Sequence, residues 1–159
     1  MILDNEIKEK LEKCKEIFPQ IGIECINAFT GLVCEASEPW NILERLPGDY
    51  AHNIILGTGN SQYQAIFGIS FKTDTDLQII PSESFEELCD AWCEMANCYC
   101  GMLMDRVLFT ENFGVLTQSI PQHSHGETFF TKAWACCGAL KSENGATIYM
   151  GYAIRKLAF

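Results

Sequence analysis

Apolar positions recur along this chain with two periods, and the changes of period divide it into segments. Residues 3–16 are rich in Glu, Lys and Leu, and Ile7, Leu11 and Cys14 fall on one face at helical spacing. Pro19 is expected to interrupt that helix. Residues 20–33 resume an apolar helical pattern through Ile23, Ile26, Ala28 and Leu32, until Gly31 and Ser37-Glu38-Pro39 end it. An irregular loop is expected from there to Pro47-Gly48.

The period then shifts to two. Residues 50–57 are apolar enough for a strand, Gly57-Thr58-Gly59-Asn60-Ser61 is a turn, and 62–72 alternate. Tyr63, Ala65, Phe67, Ile69 and Phe71 take one face of that segment, with Gln62, Gln64, Ser70 and Lys72 on the other. After Pro81 the helical period returns over about 84–107, opened by Ser84 with Glu87 three residues on, the spacing of a capping box. Three strands follow, near 113–118, 128–138 and 146–156. Ser142-Glu143-Asn144-Gly145 turns the last two into a hairpin, and Ile148, Met150, Tyr152 and Ile154 share a face. The order is helix–two strands–helix–three strands. Short turns between neighbouring strands imply an antiparallel sheet, with the long helices packed against it as a second layer, an α+β fold.

Size and charge narrow the function. At 159 residues the chain fits a single domain, 1–159, large enough to bury a core without staples. Its formal charge of −10 disfavours nucleic acid, whose phosphates demand clustered cations, and disfavours anionic membrane surfaces. No run reaches the ~18 apolar residues of a membrane span. Two acids, Asp4 and Glu6, stand where a secretory signal would be basic, so a cytoplasmic location is expected. The nine cysteines are then expected to be reduced thiols. No Cys-x-x-Cys knuckle occurs, and Cys98 and Cys100 would point about 200° apart on a helix, so no metal site is expected.

The chemistry concentrates on the helix from Ser84 to Gly101. Leu88, Trp92, Met95, Tyr99 and Met102 form an apolar stripe that should pack on the sheet. Glu87, Asp90, Glu94, Asn97 and Gly101 lie opposite, within about 80° of arc. A solvated helix face usually mixes Glu with Lys, and this one has neither Lys nor Arg. Gly101 costs roughly 1 kcal/mol against Ala in a helix interior but lets another molecule approach closely. An Asn has no useful pKa for general-base work. Its amide can hold a water while a neighbouring carboxylate pairs with a cation. That division of labour suits hydrolysis in which the partner carries most of the apparatus.

The segment Glu94-Met-Ala-Asn97-Cys-Tyr-Cys-Gly101 resembles the Glu-x-x-Asn-x-x-x-Gly signature of the CheC/CheX/FliY family of chemotaxis phosphatases. Asp90 matches that family's Asp/Ser four residues before the Glu. Pro121 resembles its downstream proline, 24 residues after Asn97 and about one further than the family spacing, which implies a small insertion. A single Glu-x-x-Asn helix is more similar to the CheX type than to the two-site CheC type. The resemblance implies a CheC-like fold and a phosphorylated CheY-like response regulator as partner. Glu94 and Asn97 are then the catalytic pair, with Glu94 on the regulator's lysine and Asn97 orienting water toward the aspartyl phosphate. Asp90, Gly101 and Glu87 would serve docking. The divalent metal would belong to the regulator, so the chain would need no cofactor of its own, and a homodimer with a free sheet edge is implied. One alternative is a catalytically silent module that only binds the regulator. Another is an unrelated thiol or metal enzyme using the cysteines with His123 and His125, although paired histidines in a loop are ordinarily just solvated. No Gly-x-x-x-x-Gly-Lys loop appears, which disfavours a nucleotide enzyme.

Overall fold

A computed structural model describes residues 3–48, 50–126 and 132–157. The helices are α1 (Asn5–Cys14), α2 (Ile17–Thr30), α3 (Asp74–Leu77), α4 (Phe85–Met104) and α5 (Val107–Phe113). The strands are β1 (Cys34–Glu35), β2 (Asn41–Leu43), β3 (His52–Gly59), β4 (Tyr63–Phe71), β5 (Thr117–Gln118), β6 (Gln122–His125), β7 (Trp134–Ser142) and β8 (Thr147–Lys156). All strands pair antiparallel in one sheet of order β1-β7-β8-β4-β3-β5, with β2 also on β7 and β6 also on β3.

The alternation read from residues 62–72 sets the layers. Tyr63, Ala65, Phe67, Ile69 and Phe71 on β4, and Ile148, Met150, Tyr152 and Ile154 on β8, are all buried in the main core beneath the helices. α1 contributes Ile7, Leu11 and Cys14 to that core, and α2 contributes Phe18, Ile21, Cys25 and Ile26. Pro19 does not break a helix. The break falls at Lys15-Glu16, and Pro19 sits in the first turn of α2, where its missing N–H has no intrahelical acceptor to lose.

The opposite face of the sheet is partly covered by residues 44–48. Leu46 packs there with Ala135, Cys137 and Ala153. Ser70, expected on a polar surface, is buried on this side and donates from its hydroxyl to Asn53 Oδ1 at 2.6 Å. Trp40 enters the main core from the other side and lies flat on Gly138, where a Cβ would fall 2.0 Å from its ring. Residues 34–43 therefore hold two short strands rather than a loop. Their two- and three-residue pairings make sense only against the outer edge of β7.

The last third differs most from the sequence pattern. The helix expected over 84–107 stops at Met104, α5 fills the stretch left between that helix and the expected strand, and the strand expected over 113–118 is reduced to β5 at Thr117–Gln118. Part of the expected strand over 128–138, residues 128–131, lies outside the described residues. Both edges of the sheet are made of short pieces, β1 with β2 and β5 with β6, instead of one long free strand.

Candidate functional site

The site is built on α4, whose ends and rotation are both fixed. Ser84 Oγ accepts from the Glu87 N–H at 3.1 Å. Glu87 Oε2 in turn accepts from the Glu83 N–H at 3.0 Å, one residue before the reciprocal partner of an ordinary capping box. The buried face is held by two polar pins about two turns apart. Trp92 Nε1 donates to the Leu77 carbonyl and Tyr99 Oη to the Phe18 carbonyl, each at 2.8 Å. Phe67 stacks on Tyr99 with ring centres 4.0 Å apart, and Phe71 lies 4.6 Å from Trp92. Leu88, Cys89, Met95, Ala96, Cys100 and Leu103 are the other buried residues of α4, with Met102 half-buried.

With that face committed to the core, the polar stripe looks outward. Glu87, Asp90, Glu94 and Gly101 are exposed and Asn97 is half-buried. Among the described residues, neither the Glu94 carboxylate nor the Asn97 carboxamide is engaged in a hydrogen bond or ion pair within the chain. A Cβ at Gly101 would meet nothing within 4 Å, so the chain itself makes no use of the missing side chain. Glu87 differs from its neighbours, because its carboxylate is occupied at the cap.

A second element lies beside Asn97. Gln118, at the end of β5, donates from Nε2 to the Asn97 backbone carbonyl at 2.9 Å. β5 and β6 are two halves of one edge strand. Ser119 N–H donates to the Gly57 carbonyl at 2.8 Å, while Gln122 stands opposite Ile55. Ile120 and Pro121 therefore both stand opposite Leu56, a one-residue bulge. Pro121 thus stands at the bulge, a position that tolerates proline.

Seven of the nine cysteines are buried, and Cys93 and Cys98 are half-buried. Burial pushes all nine thiols up: Cys14 to about 11, Cys25 and Cys137 to about 12, and the other six upward. Cys98, next to Asn97, is raised first by burial and then by the Glu94 carboxylate. A nucleophilic cysteine needs the opposite shift. Among the described residues, no group of three His, Cys, Asp or Glu side chains is placed to hold a metal ion.

The two histidines lie on a strand rather than in a loop. His123 and His125 lie on β6, and His125's side chain is outside the described residues. His123 Nε2 lies 3.3 Å from Nδ1 of buried His52, whose Nε2 is 2.5 Å from Asp74 Oδ1. Sequence spacing hides this array, since 22 and 71 residues separate its pairs. Gln118 is likewise invisible until β5 and α4 are seen side by side.

No family model and no curated protein matches the sequence. Solved structures do resemble the fold. The chemotaxis protein CheX from Vibrio vulnificus superposes with a TM-score of 0.67 at 14% identity, over 87% of this chain and 96% of that one. CheX from Desulfovibrio desulfuricans gives 0.67 at 12% identity, over 92% and 99%. The CheX–CheY–BeF3–Mg complex from Borrelia burgdorferi gives 0.57 at 15% identity, over 88% and 96%. Identities this low speak to fold alone, and on that ground the chain carries the α+β fold of CheX and CheC-like chemotaxis proteins.

Proposed function

We propose that this chain is a phosphatase of a CheY-like response regulator, with α4 as its working surface. The observation that carries the reading is the pair Glu94 and Asn97, unengaged within the described chain, on the outward side of a helix whose rotation Trp92 and Tyr99 hold. The likeness in fold to a CheX bound to CheY supports the choice of partner.

In this reading the acidic stripe attracts a cationic group, and Glu94 pairs with the regulator's lysine. The Asn97 carboxamide accepts from and donates to one water and holds it in line with the aspartyl phosphorus. The water oxygen bonds to phosphorus as the bond from the aspartate oxygen to phosphorus breaks. Inorganic phosphate leaves, the aspartate carboxylate is restored, and the water's proton passes to the phosphate or to solvent. Asp90 and the open surface at Gly101 serve docking, and Glu87 serves it only after the helix cap. The divalent metal is the regulator's, and this chain brings no cofactor of its own. A homodimer leaving α4 uncovered belongs to the reading. Val33 and Leu43, exposed apolar side chains at the β1/β2 edge of the sheet, offer a contact far from β5 and β6.

The deciding experiment adds the chain in catalytic amounts to phosphorylated CheY and follows phosphate release. Release faster than from CheY alone is expected. Binding of CheY without acceleration would replace the enzyme by the silent binding module. Among the described residues, no helix is long and apolar enough to cross a membrane.

A further inference from the structure

The edge strand beside α4 carries a feature that the Glu94/Asn97 chemistry leaves unexplained. Ile120 is 81% exposed, the most exposed large apolar side chain among the described residues. It stands on the bulge, which is where a sheet edge re-aims a side chain. Directly opposed residues share a face of the sheet. Gln118 therefore shares the helix side with Thr58, and His123 shares it with Ile54. The two bulge residues between them both oppose Leu56, a core residue on that same side. A regular strand would have placed one residue there.

Gln118 fixes where this edge sits. It is itself exposed, and it spends its amide on a mid-helix carbonyl that already has a helical donor four residues on. Its bond ties β5 to α4 at the residue proposed to hold the water. Val115, also exposed, lies on the same approach to β5. The result is an apolar projection alongside an acidic helix face that has no Lys or Arg on α4.

Resting on the phosphatase reading, we infer that Ile120 is a specificity-determining contact for the response regulator and Gln118 is the positioning residue that holds it level with Asn97. The occupant has a cationic group for the α4 stripe, beside an apolar depression that receives one aliphatic side chain. Charge complementarity at Glu94 and continuity with that stripe assign Ile120 to this partner. A large apolar side chain that is exposed in the free chain and fully desolvated in a contact can carry a disproportionate share of binding energy.

The test uses the full chain with CheY charged with beryllofluoride and Mg²⁺ for affinity, and phosphorylated CheY for turnover. Ile120→Ser is expected to weaken affinity and raise KM about tenfold or more, with kcat within about twofold of wild type. Gln118→Ala should raise KM less, about threefold, and Gln118→Glu should not rescue it, since a carboxylate cannot donate to the Asn97 carbonyl. Ile120→Leu should restore most of the affinity. Wild type and Asn97→Ala run alongside separate two failures. If wild type neither binds nor accelerates CheY, the phosphatase reading falls and this inference with it. If wild type binds and accelerates while Ile120→Ser keeps wild-type KM, the inference alone is overturned. Sedimentation of Ile120→Ser is expected to match wild type. Loss of self-association with unchanged CheY affinity would instead make this edge a contact between copies, and would also overturn it.

Discussion

Tyr99 donates its hydroxyl to the Phe18 backbone carbonyl across 2.8 Å of core, and so locks α4 to the first turn of α2. The bond is fully buried, and burial keeps the phenol far above its ordinary range. Its partner on the helix is Trp92, bonded to Leu77 about two turns earlier. Together they decide which side of α4 meets water, and hence where Glu94 and Asn97 point.

Tyr99→Phe tests the weaker sense of that lock. The ring still stacks on Phe67, so packing survives and one hydrogen bond is lost. A cost of about 1 kcal/mol is expected, or about 2–4 °C in the thermal midpoint of a chain this size. Phosphate release should change little, because Trp92 still holds the rotation. Thermal unfolding and the CheY assay on the same preparation check both halves.

Two glycines should respond in opposite directions to the same methyl group. At Gly101 a Cβ meets nothing, so Gly101→Ala should stabilise by about 1 kcal/mol through helix propensity. At Gly138 a Cβ would lie 2.0 Å from the buried Trp40 ring, so Gly138→Ala should destabilise by about 1–3 kcal/mol through overpacking. Denaturant unfolding reads both. Gly101→Trp should then fold normally but lose CheY affinity, since the bulk enters only the space a partner needs.

Much of this arrangement was legible in residue spacing, for identifiable reasons. α4 could be read because Leu88, Trp92, Met95 and Tyr99 repeat at helical spacing and Ser84 caps the start. β4 could be read because five alternating apolar residues sit above one core. The misreadings lie where the decisive contact is distant in sequence. β1 and β2 look like a Ser-Glu-Pro loop because their partner is β7, about a hundred residues on. The bulge at Ile120-Pro121 needs the register of β3, and most of α5 lies in the gap that the residue pattern leaves between a helix end near 107 and a strand start near 113. The outward stripe of α4 followed from its period. The clamp from Gln118 did not, because an exposed glutamine carries no signal until its carbonyl is seen.

The buried thiols make a prediction about alkali. Their ordinary value is 9.0, and burial lifts Cys14 to about 11 and Cys25 and Cys137 to about 12 in the folded chain. Above pH 9 the unfolded state releases these protons while the folded state keeps them, so folding stability falls as pH rises. Stability from these groups is therefore fully present below pH 9 and is lost progressively toward about 11–12. Urea midpoints should be flat in this respect from pH 7 to 8.5 and decline beyond 9. Cys25→Ala should shallow that decline by at most about 1.4 kcal/mol per pH unit. An unchanged slope would show that Cys25 is not shielded. Alkylation at pH 7.5 should likewise leave the buried thiols largely unmodified until the chain is unfolded.

The roles of Glu94 and Asn97 should separate by kinetics, since their chemistry differs. If Asn97 orients water, its contact matters chiefly in the transition state. Asn97→Ala should then leave affinity for beryllofluoride-charged CheY largely intact and lower kcat on the order of 10²–10³. Its carboxamide has no bond within the described chain to lose, so the fold should not move, and the thermal midpoint supplies that control. In the proposed reading, Glu94→Ala removes a charge that pairs with the regulator's lysine both before and during the reaction. It should weaken affinity, and more so at low ionic strength, where the lost pair is less screened. It should also let the neighbouring Cys98 thiol relax downward, because the carboxylate is the second cause holding it up. Faster alkylation of Cys98 in Glu94→Ala than in wild type would report that carboxylate independently of any partner. An Asn97→Ala variant that releases phosphate as fast as wild type would remove the water-positioning role, whatever the binding data show.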